Sequence, residues 1–344
     1  MIELESRFDG MELSTRLVVA EALRRGATVE VLDRSDNFIR IVRDSRSHLV
    51  KQATRTGADT YIAALAMENK QVTKALLEAA GLRAPAGRLH DSVTTALADW
   101  PRVRGRATVV KPRSTNFGEG VAILPGTATQ AEYEEAVRAA FALDTAVLVE
   151  EFIAGREFRF LVIGGRTRAV LHRVPANVVG DGRRSIRALV AAKNEHPFRG
   201  EGYVKPLEKI VLGATELAFL AAAGLGPESV PADGQQVFLR KNSNISTGGD
   251  SVDWTDTMPA VYLRIAERAT AALGAQISGV DMIVPDPADA RAAASYSIIE
   301  LNFNPALHIH DYPETGENRR VERHVLDLLG ITAAPTEASA SSIP

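Results

Sequence analysis

Ile298-Ile299-Glu300-Leu301-Asn302-Phe303-Asn304-Pro305 sets a carboxylate and an amide two residues apart inside an apolar run that stops at Asn-Pro. Successive side chains of a strand alternate, so Glu300 and Asn302 share one face while Ile299 and Leu301 are expected to point into the core. Polar groups embedded in so strong a core signal need a partner, because burying them without one is costly. Upstream, residues 277–284 form a second extended run with one acid, Asp281, and an Ala-rich link joins the two runs. Pairing them brings Asp281, Glu300 and Asn302 within reach of one another. Such an all-oxygen group suits Mg²⁺, a hard cation held by one or two carboxylates plus substrate phosphates. The same residues also read as the solvated face of a hairpin, and the rest of the chain has to decide between the two.

Three further stretches carry compatible chemistry. Thr108-Val109-Val110-Lys111 reads as a β-branched strand ending in a lysine, and Pro112-Arg113-Ser114-Thr115-Asn116-Phe117-Gly118-Glu119-Gly120 follows it. Small residues there let backbone N–H groups approach phosphate oxygens, and the strand-end lysine adds charge to the same place. Gly118 and Gly120 can equally close a hairpin, and no Gly-Lys-Ser/Thr follows as a Walker loop requires. Val147-Leu148-Val149-Glu150-Glu151-Phe152-Ile153-Ala154-Gly155-Arg156-Glu157 is a strand that breaks at a hinge. Its backbone can read an adenine edge and Glu157 can accept two ribose hydroxyls, although alone it reads as a surface strand end. Arg240-Lys241-Asn242-Ser243-Asn244-Ile245-Ser246-Thr247-Gly248-Gly249-Asp250 crowds donors and glycines as an anion site does, and as many long polar loops do. His172, His308 and His310 read as packing or hydrogen-bonding groups rather than metal ligands, with contact to substrate left open.

Helical spacing over residues 12–25 and extended runs at 28–32 and 38–42 predict a small α/β N-terminal lobe, completed by a helix over 67–80 that stops at Gly81. The segment 82–87 reads as a loop into a new lobe beginning near Arg106, with strands at 118–124 and 146–151 around a helix at 132–142. Gly164-Gly165 joins strands 157–163 and 167–174 as a hairpin, and 262–273 has the pattern of an amphipathic helix. The divisions expected are 1–68, 69–148, 149–331 and a disordered tail at 332–344. With 45% hydrophobic and 24% charged residues the chain of 344 can bury a sizeable core. A net charge of −3 gives no footprint for nucleic acid or anionic membrane, and no run of about eighteen apolar residues occurs. Acids at the N-terminus argue against a signal peptide, which makes the cytoplasm the expected compartment. Cysteine is absent, so catalysis has to use oxygen, nitrogen and bound metal.

Together and in this order, these segments resemble the ATP-grasp superfamily, and more closely the chain looks like the glutathione synthetase module of bifunctional glutamate–cysteine ligase/glutathione synthetases, with cyanophycin synthetase a more distant relative. Met67-Glu68-Asn69-Lys70, Val109-Val110-Lys111-Pro112, Ser114–Gly120, Val149–Glu157, His172–Gly182, Asn242–Asp250, Gly279–Met282 and Ile298–Pro305 carry the likeness. The resemblance implies an α/β (α+β) ATP-grasp fold, two α+β lobes clasping ATP behind a short N-terminal α/β lobe. It implies Lys70 and Lys111 as phosphate-binding lysines, with Ser114, Asn116, Gly118 and Gly120 in a loop closing over ATP. Glu150, Glu151 and Ile153 would line the adenine pocket and Glu157 the ribose. Asp281, Glu300 and Asn302 would hold Mg²⁺, or Mn²⁺ in its stead. Arg240 and Asn244 would lie near the triphosphate or acyl phosphate, and Arg173 and Asn177 near substrate. The activity implied is ligation of a carboxylate to an amine through an acyl phosphate, on small amino-acid or γ-glutamyl substrates, by a homodimer. In the bifunctional enzymes a large ligase module precedes this one, and here the first lobe reads as reduced. Glutathione formation and γ-glutamyl dipeptide formation share every motif; an ATP-binding protein without ligase activity is the alternative of another class.

Overall fold

The structure is a computed structural model that describes residues 4–115, 120–202, 204–288 and 296–332. α1 (Leu13–Arg24) runs into an antiparallel sheet of β1 (Thr28–Asp33), β2 (Phe38–Arg43), β3 (Arg46–Lys51) and β4 (Arg55–Thr56). The last two strands escape a reading by alternation, since β3 carries only Val50 as a fully buried residue. The helix expected over 67–80 is two helices, α2 (Tyr61–Glu68) and α3 (Lys70–Ala79). Asn69 makes the break: its backbone is extended, and its side-chain oxygen accepts from the N–H groups of Gln71 at 3.1 Å and Val72 at 3.2 Å. An asparagine that satisfies two otherwise orphaned donors starts a new helix and leaves Lys70 at its first turn.

A second sheet follows, built from β5 (Gly87–His90), α4 (Val93–Ala98), α5 (Trp100–Val103), β6 (Thr108–Pro112), β7 (Ala122–Leu124), α6 (Gln130–Phe141) and β8 (Val147–Glu151), in the strand order β5-β8-β6-β7. Tyr133, Val137 and Ala140 of α6 pack on Val110, Val147 and Val149, closing a small core of its own. This lobe therefore begins at Gly87 rather than near Arg106. β8 runs to Glu151 within its sheet, so a division at 148/149 would cut a strand. Helix α3, expected with this lobe, packs Leu77 instead into the central core with Tyr262 and Phe160. The lobe meets the rest of the chain where residues 86 and 151 pair: Glu151 N–H donates to Ala86 O at 2.9 Å and Ala86 N–H to Glu151 Oε1 at 2.8 Å.

The central sheet uses β9 (Arg156–Ile163), β10 (Arg166–Val174) and, after an insertion, three later strands. The insertion contains β11 (Asn177–Val179), α7 (Ile186–Asn194), β12 (Arg199–Gly200), β13 (Leu207–Glu208), α8 (Ala214–Ala222) and β14 (Gln236–Phe238) around its own apolar cluster. β15 (Asp250–Asp253), α9 (Ala260–Ala272), β16 (Ile277–Val284) and β17 (Ser297–Asn302) complete the order β15-β10-β9-β16-β17, antiparallel throughout. α10 (His308–Asp311) and α11 (Glu322–Leu328) close the chain. Antiparallel sheets packed with helices are the α+β variant of the expected class.

Alternation along β9 shows how the sheet positions a site. Phe158, Phe160 and Val162 point into the core beneath α9. On the other face, Leu161 and Ile163 lie under the N-terminal lobe with Val18, Ile39 and Ile41, whereas Glu157 and Arg159 run out beyond its cover. Where apolar cover stops, the polar residues begin.

Candidate functional site

A cleft of about 1550 Å³ opens between the β5–β8 lobe and the uncovered part of the central sheet. Its floor is a row across three strands: Arg159, Asp281 and Glu300 are register partners on β9, β16 and β17. Opposed residues of paired strands point the same way, so the row needs no loop to assemble it. Asp281 is gripped by Arg159, whose Nη2 donates at 2.8 Å, and by Arg173 Nη1 at 3.1 Å. Burial alone would push the Asp281 carboxyl up; the Arg159 and Arg173 charges outweigh it and hold the group below the usual carboxylate range. Glu300 goes the other way. Burial, then the neighbouring Asp281 charge, raises its carboxyl against the pull of Lys70. Asn302 bridges the row, donating to Glu300 Oε1 at 3.1 Å and accepting from Arg159 at 3.2 Å.

A bulge between Asp281 and Met282 shifts the alternation on β17. Ile298 consequently enters the core and Ile299, expected there, lines the cleft. Gly279 matters for the same floor: a Cβ there would come within 3.0 Å of Arg159 Cδ, so the absence of a side chain leaves the guanidinium room beside Asp281.

The roof carries lysines. Lys111 at the end of β6 meets Glu150 Oε2 at 2.6 Å, and Lys70 Nζ donates to Thr115 O at 2.9 Å. Burial lowers the Lys70 ammonium below its ordinary value, and the Glu300 charge opposes that shift. Glu150, expected at the adenine, lines the cleft with its side chain buried against Lys111. Glu151 caps the Ala86 N–H, while Ile153 stays on the cleft wall beside Val109, Val121 and Ile123. Glu157 lies in the cleft with one oxygen accepting from Ser243 Oγ at 2.6 Å and the other 2.8 Å from Arg173.

Arg173 is the hub of the cleft, touching Asp281, Glu157 and Asn244 Oδ1, the last at 2.8 Å. Arg240 lines the cleft with its guanidinium anchored on the buried Glu216 of α8. Three expected residues stand apart from the cleft lining. Asn177 lies behind the wall: its amide nitrogen donates to Pro175 O and Asp250 Oδ2, both at 2.8 Å, and it contributes nothing to the cleft lining. Ser114 turns away, its N–H donating to Asp144 Oδ2 at 2.6 Å. Gly120 has a positive φ of 71° and packs on Pro112 and Leu143, which a Cβ would strike. Asn116 and Gly118 lie outside the described residues. His172 lines the cleft beside Phe158, with burial holding its imidazole down at about 4; His308 accepts or donates through Nδ1 to Ser14 Oγ at 2.8 Å.

Arg159 escaped the reading of the sequence. Its signal was one arginine among the fully buried Phe158, Phe160 and Leu161, a placement that requires a buried acid opposite. Among the described residues no three His, Cys, Asp or Glu side chains converge on one point. Two carboxylates and an amide do converge, and that oxygen-only set fits a cation which takes its remaining ligands from phosphate and water. Among the same residues no helix is long and apolar enough to cross a membrane.

Antiparallel lobes clasp a cleft with lysines above and acids below, and in this the chain is similar to ATP-grasp proteins. A family model described as an ATP-grasp-like domain matches residues 9–62. The bifunctional glutathione biosynthesis protein GshAB of Desulfotalea psychrophila is 47% identical over 324 residues, covering 94% of this chain and 42% of that one. The corresponding protein of Clostridium perfringens is 45% identical over 94% of this chain and 41% of its own length. A crystal structure of a bifunctional glutathione synthetase from Pasteurella multocida superposes with a TM-score of 0.74 at 43% identity, over 94% of this chain and 45% of that one. The chain thus spans less than half the length of these relatives.

Proposed function

We propose that this chain is an ATP- and Mg²⁺-dependent ligase that joins a carboxylate to an amine through an acyl phosphate, with γ-glutamylcysteine and glycine as the leading pair of substrates. One observation carries the reading: Lys70 and Lys111 face the Asp281–Glu300–Asn302 row across a single cleft. Cations above and acids below suit a metal-bound triphosphate between them.

Asp281, Glu300 and Asn302 would hold Mg²⁺, or Mn²⁺ as another oxygen-seeking ion, which when bound neutralises phosphate charge. Attack by the substrate carboxylate oxygen on the γ-phosphorus forms the acyl phosphate and breaks the bond to the bridging oxygen of ADP. The amine nitrogen then attacks the acyl carbon, phosphate leaves, and the amine gives up a proton. Lys70, Lys111 and Arg240 offset the charge that gathers on the transferred group. Arg173 orients Asp281 and Glu157, and Glu157 keeps lone pairs free for ribose hydroxyls. The apolar wall of Val109, Val121, Ile123 and Ile153 suits a flat adenine ring. Water kept out by the closed lobe would otherwise destroy the acyl phosphate. Such a ligase draws ATP and amino acids from the cytoplasm, and the reading includes a homodimer.

Phosphate release measured across pairs of amino acids and γ-glutamyl peptides tests this. Release only when γ-glutamylcysteine and glycine are both present supports the leading version. Release with glutamate and another amino acid would move the assignment to γ-glutamyl dipeptide formation. Nucleotide binding with no amide product from any pair would overturn ligation.

A further inference from the structure

Lys74 lies one turn after Lys70 on α3, in the half-buried part of the helix, and the function proposed above makes no use of it. Its Nζ is buried without a hydrogen-bond acceptor, and it sits 3.7 Å from Glu150 Oε1. The other oxygen of Glu150 holds Lys111 at 2.6 Å. One buried carboxylate is therefore shared by two lysines from different bodies, Lys74 from the helix packed on the central core and Lys111 from the lobe above. Like charges one turn apart on a helix repel, so the pairing of Lys70 with Lys74 has to be repaid elsewhere. Glu150 supplies the opposite charge.

We propose that Lys74 is a positioning residue. By holding the outer oxygen of Glu150 it fixes that carboxylate between the two bodies and sets the place of the Lys111 ammonium over the acid row. It also limits how tightly Glu150 can bind Lys111, leaving the ammonium available to a polyanion in the cleft. Without Lys74, Glu150 has Lys111 as its cation and draws it towards the lobe, away from the cleft. The inference rests on the proposal that the cleft takes Mg²⁺ and ATP, and it adds the group that registers the roof over the floor.

The test is a double-mutant cycle of Lys74→Met and Glu150→Gln, read by calorimetric binding of a non-hydrolysable ATP analogue with Mg²⁺ and by kcat and KM for ATP where turnover is present. Lys74→Met is expected to weaken analogue binding about tenfold, and Lys74→Arg to return it to within about threefold of wild type, since a guanidinium can reach the same oxygen. In the Glu150→Gln background Lys74→Met should change binding less than twofold, because its route runs through Glu150. A purely structural lysine would instead lower stability equally in both backgrounds. Unfolding midpoints are compared throughout, and Lys74→Gln replaces Met if the latter does not fold. Wild-type-like binding by Lys74→Met, or losses that multiply across the cycle, would overturn the proposal while leaving the ligase reading intact. Wild-type protein that binds no analogue would overturn both.

Discussion

Two of the places where the described residues bury acids differ in what surrounds the carboxyl group. On the cleft floor, Asp281 is 3% exposed and two guanidinium groups keep it charged. At the junction of α10 and α11, Asp311 is 1% and Glu322 5% exposed, and they face one another. Burial, then the Glu322 charge, pushes the Asp311 carboxyl up to about 8. Arg320, half out in solvent, approaches Glu322 at 3.5 Å. A carboxylate kept ionised can serve a metal; one kept protonated donates a proton or a hydrogen bond instead. Depth does not separate Asp281 from Asp311, whereas the two guanidinium groups around Asp281 do.

The largest expected effect comes from taking a cation away from the floor. Arg159→Met should cost about 3–5 kcal/mol in urea unfolding, since it strands Asp281 with Arg173 alone. A loss below about 1 kcal/mol would break the contrast between the two sites. Adding Asp281→Leu to that variant should restore much of the stability and none of the activity.

Next is Glu300→Gln, expected to lower turnover about 10²–10³-fold at constant fold. Because burial already favours the neutral form of Glu300, its unfolding midpoint should hold or rise. Near-normal turnover in a phosphate-release assay would remove Glu300 from the metal set.

At the α10–α11 junction the sign follows from the raised Asp311 value. A carboxyl with a folded pKa near 8 and an unfolded one near 3.8 stabilises the fold below about pH 4, and that stability drains away as pH rises through 8. Asp311→Asn should flatten this decline and leave the variant more stable than wild type at pH 8 by about 1–3 kcal/mol. Thermal melts from pH 5 to 9 check it; parallel slopes for the two proteins would show that Asp311 is not the titrating group. The smallest effect lies outside both sites. Thr129→Ala removes the capping box of α6, where Thr129 Oγ1 accepts from Glu132 N–H, and should cost about 1 kcal/mol, confined to the lid core.

What the sequence made legible was periodic or ordered by motif. Residues 277–284 are a strand as expected, and Asp281, Glu300 and Asn302 meet because strand register brings them together. What it hid depends on partners distant along the chain. Arg159 lies 122 residues from the acid it holds, and nothing local announces that pair. The resemblance implied Glu150 at the adenine pocket, and the half-buried Lys111 on β6, 39 residues away, is a partner no local pattern announces. Asn177 looked like a ligand contact and proved to be a brace, since amides satisfy buried carboxylates as readily as they bind substrates. The helix break at Asn69 was visible in principle, as asparagine caps do mark starts, but the apolar spacing on either side ran on through it.

The paired links at Ala86 and Glu151 have a mechanical meaning. Two chain segments leave the β5–β8 lobe side by side and stitched together, one entering and one departing. A single strap would let the lobe swivel freely, whereas two straps laid together act like the knuckles of a door, permitting swing about one line and resisting twist. Gly155, just past the second strap, sits so close to Ile283 and Pro285 that a side chain would jam it. The attachment thus fixes where Lys111 stands over the row of oxygens, and alignment is built into the fold of the chain itself.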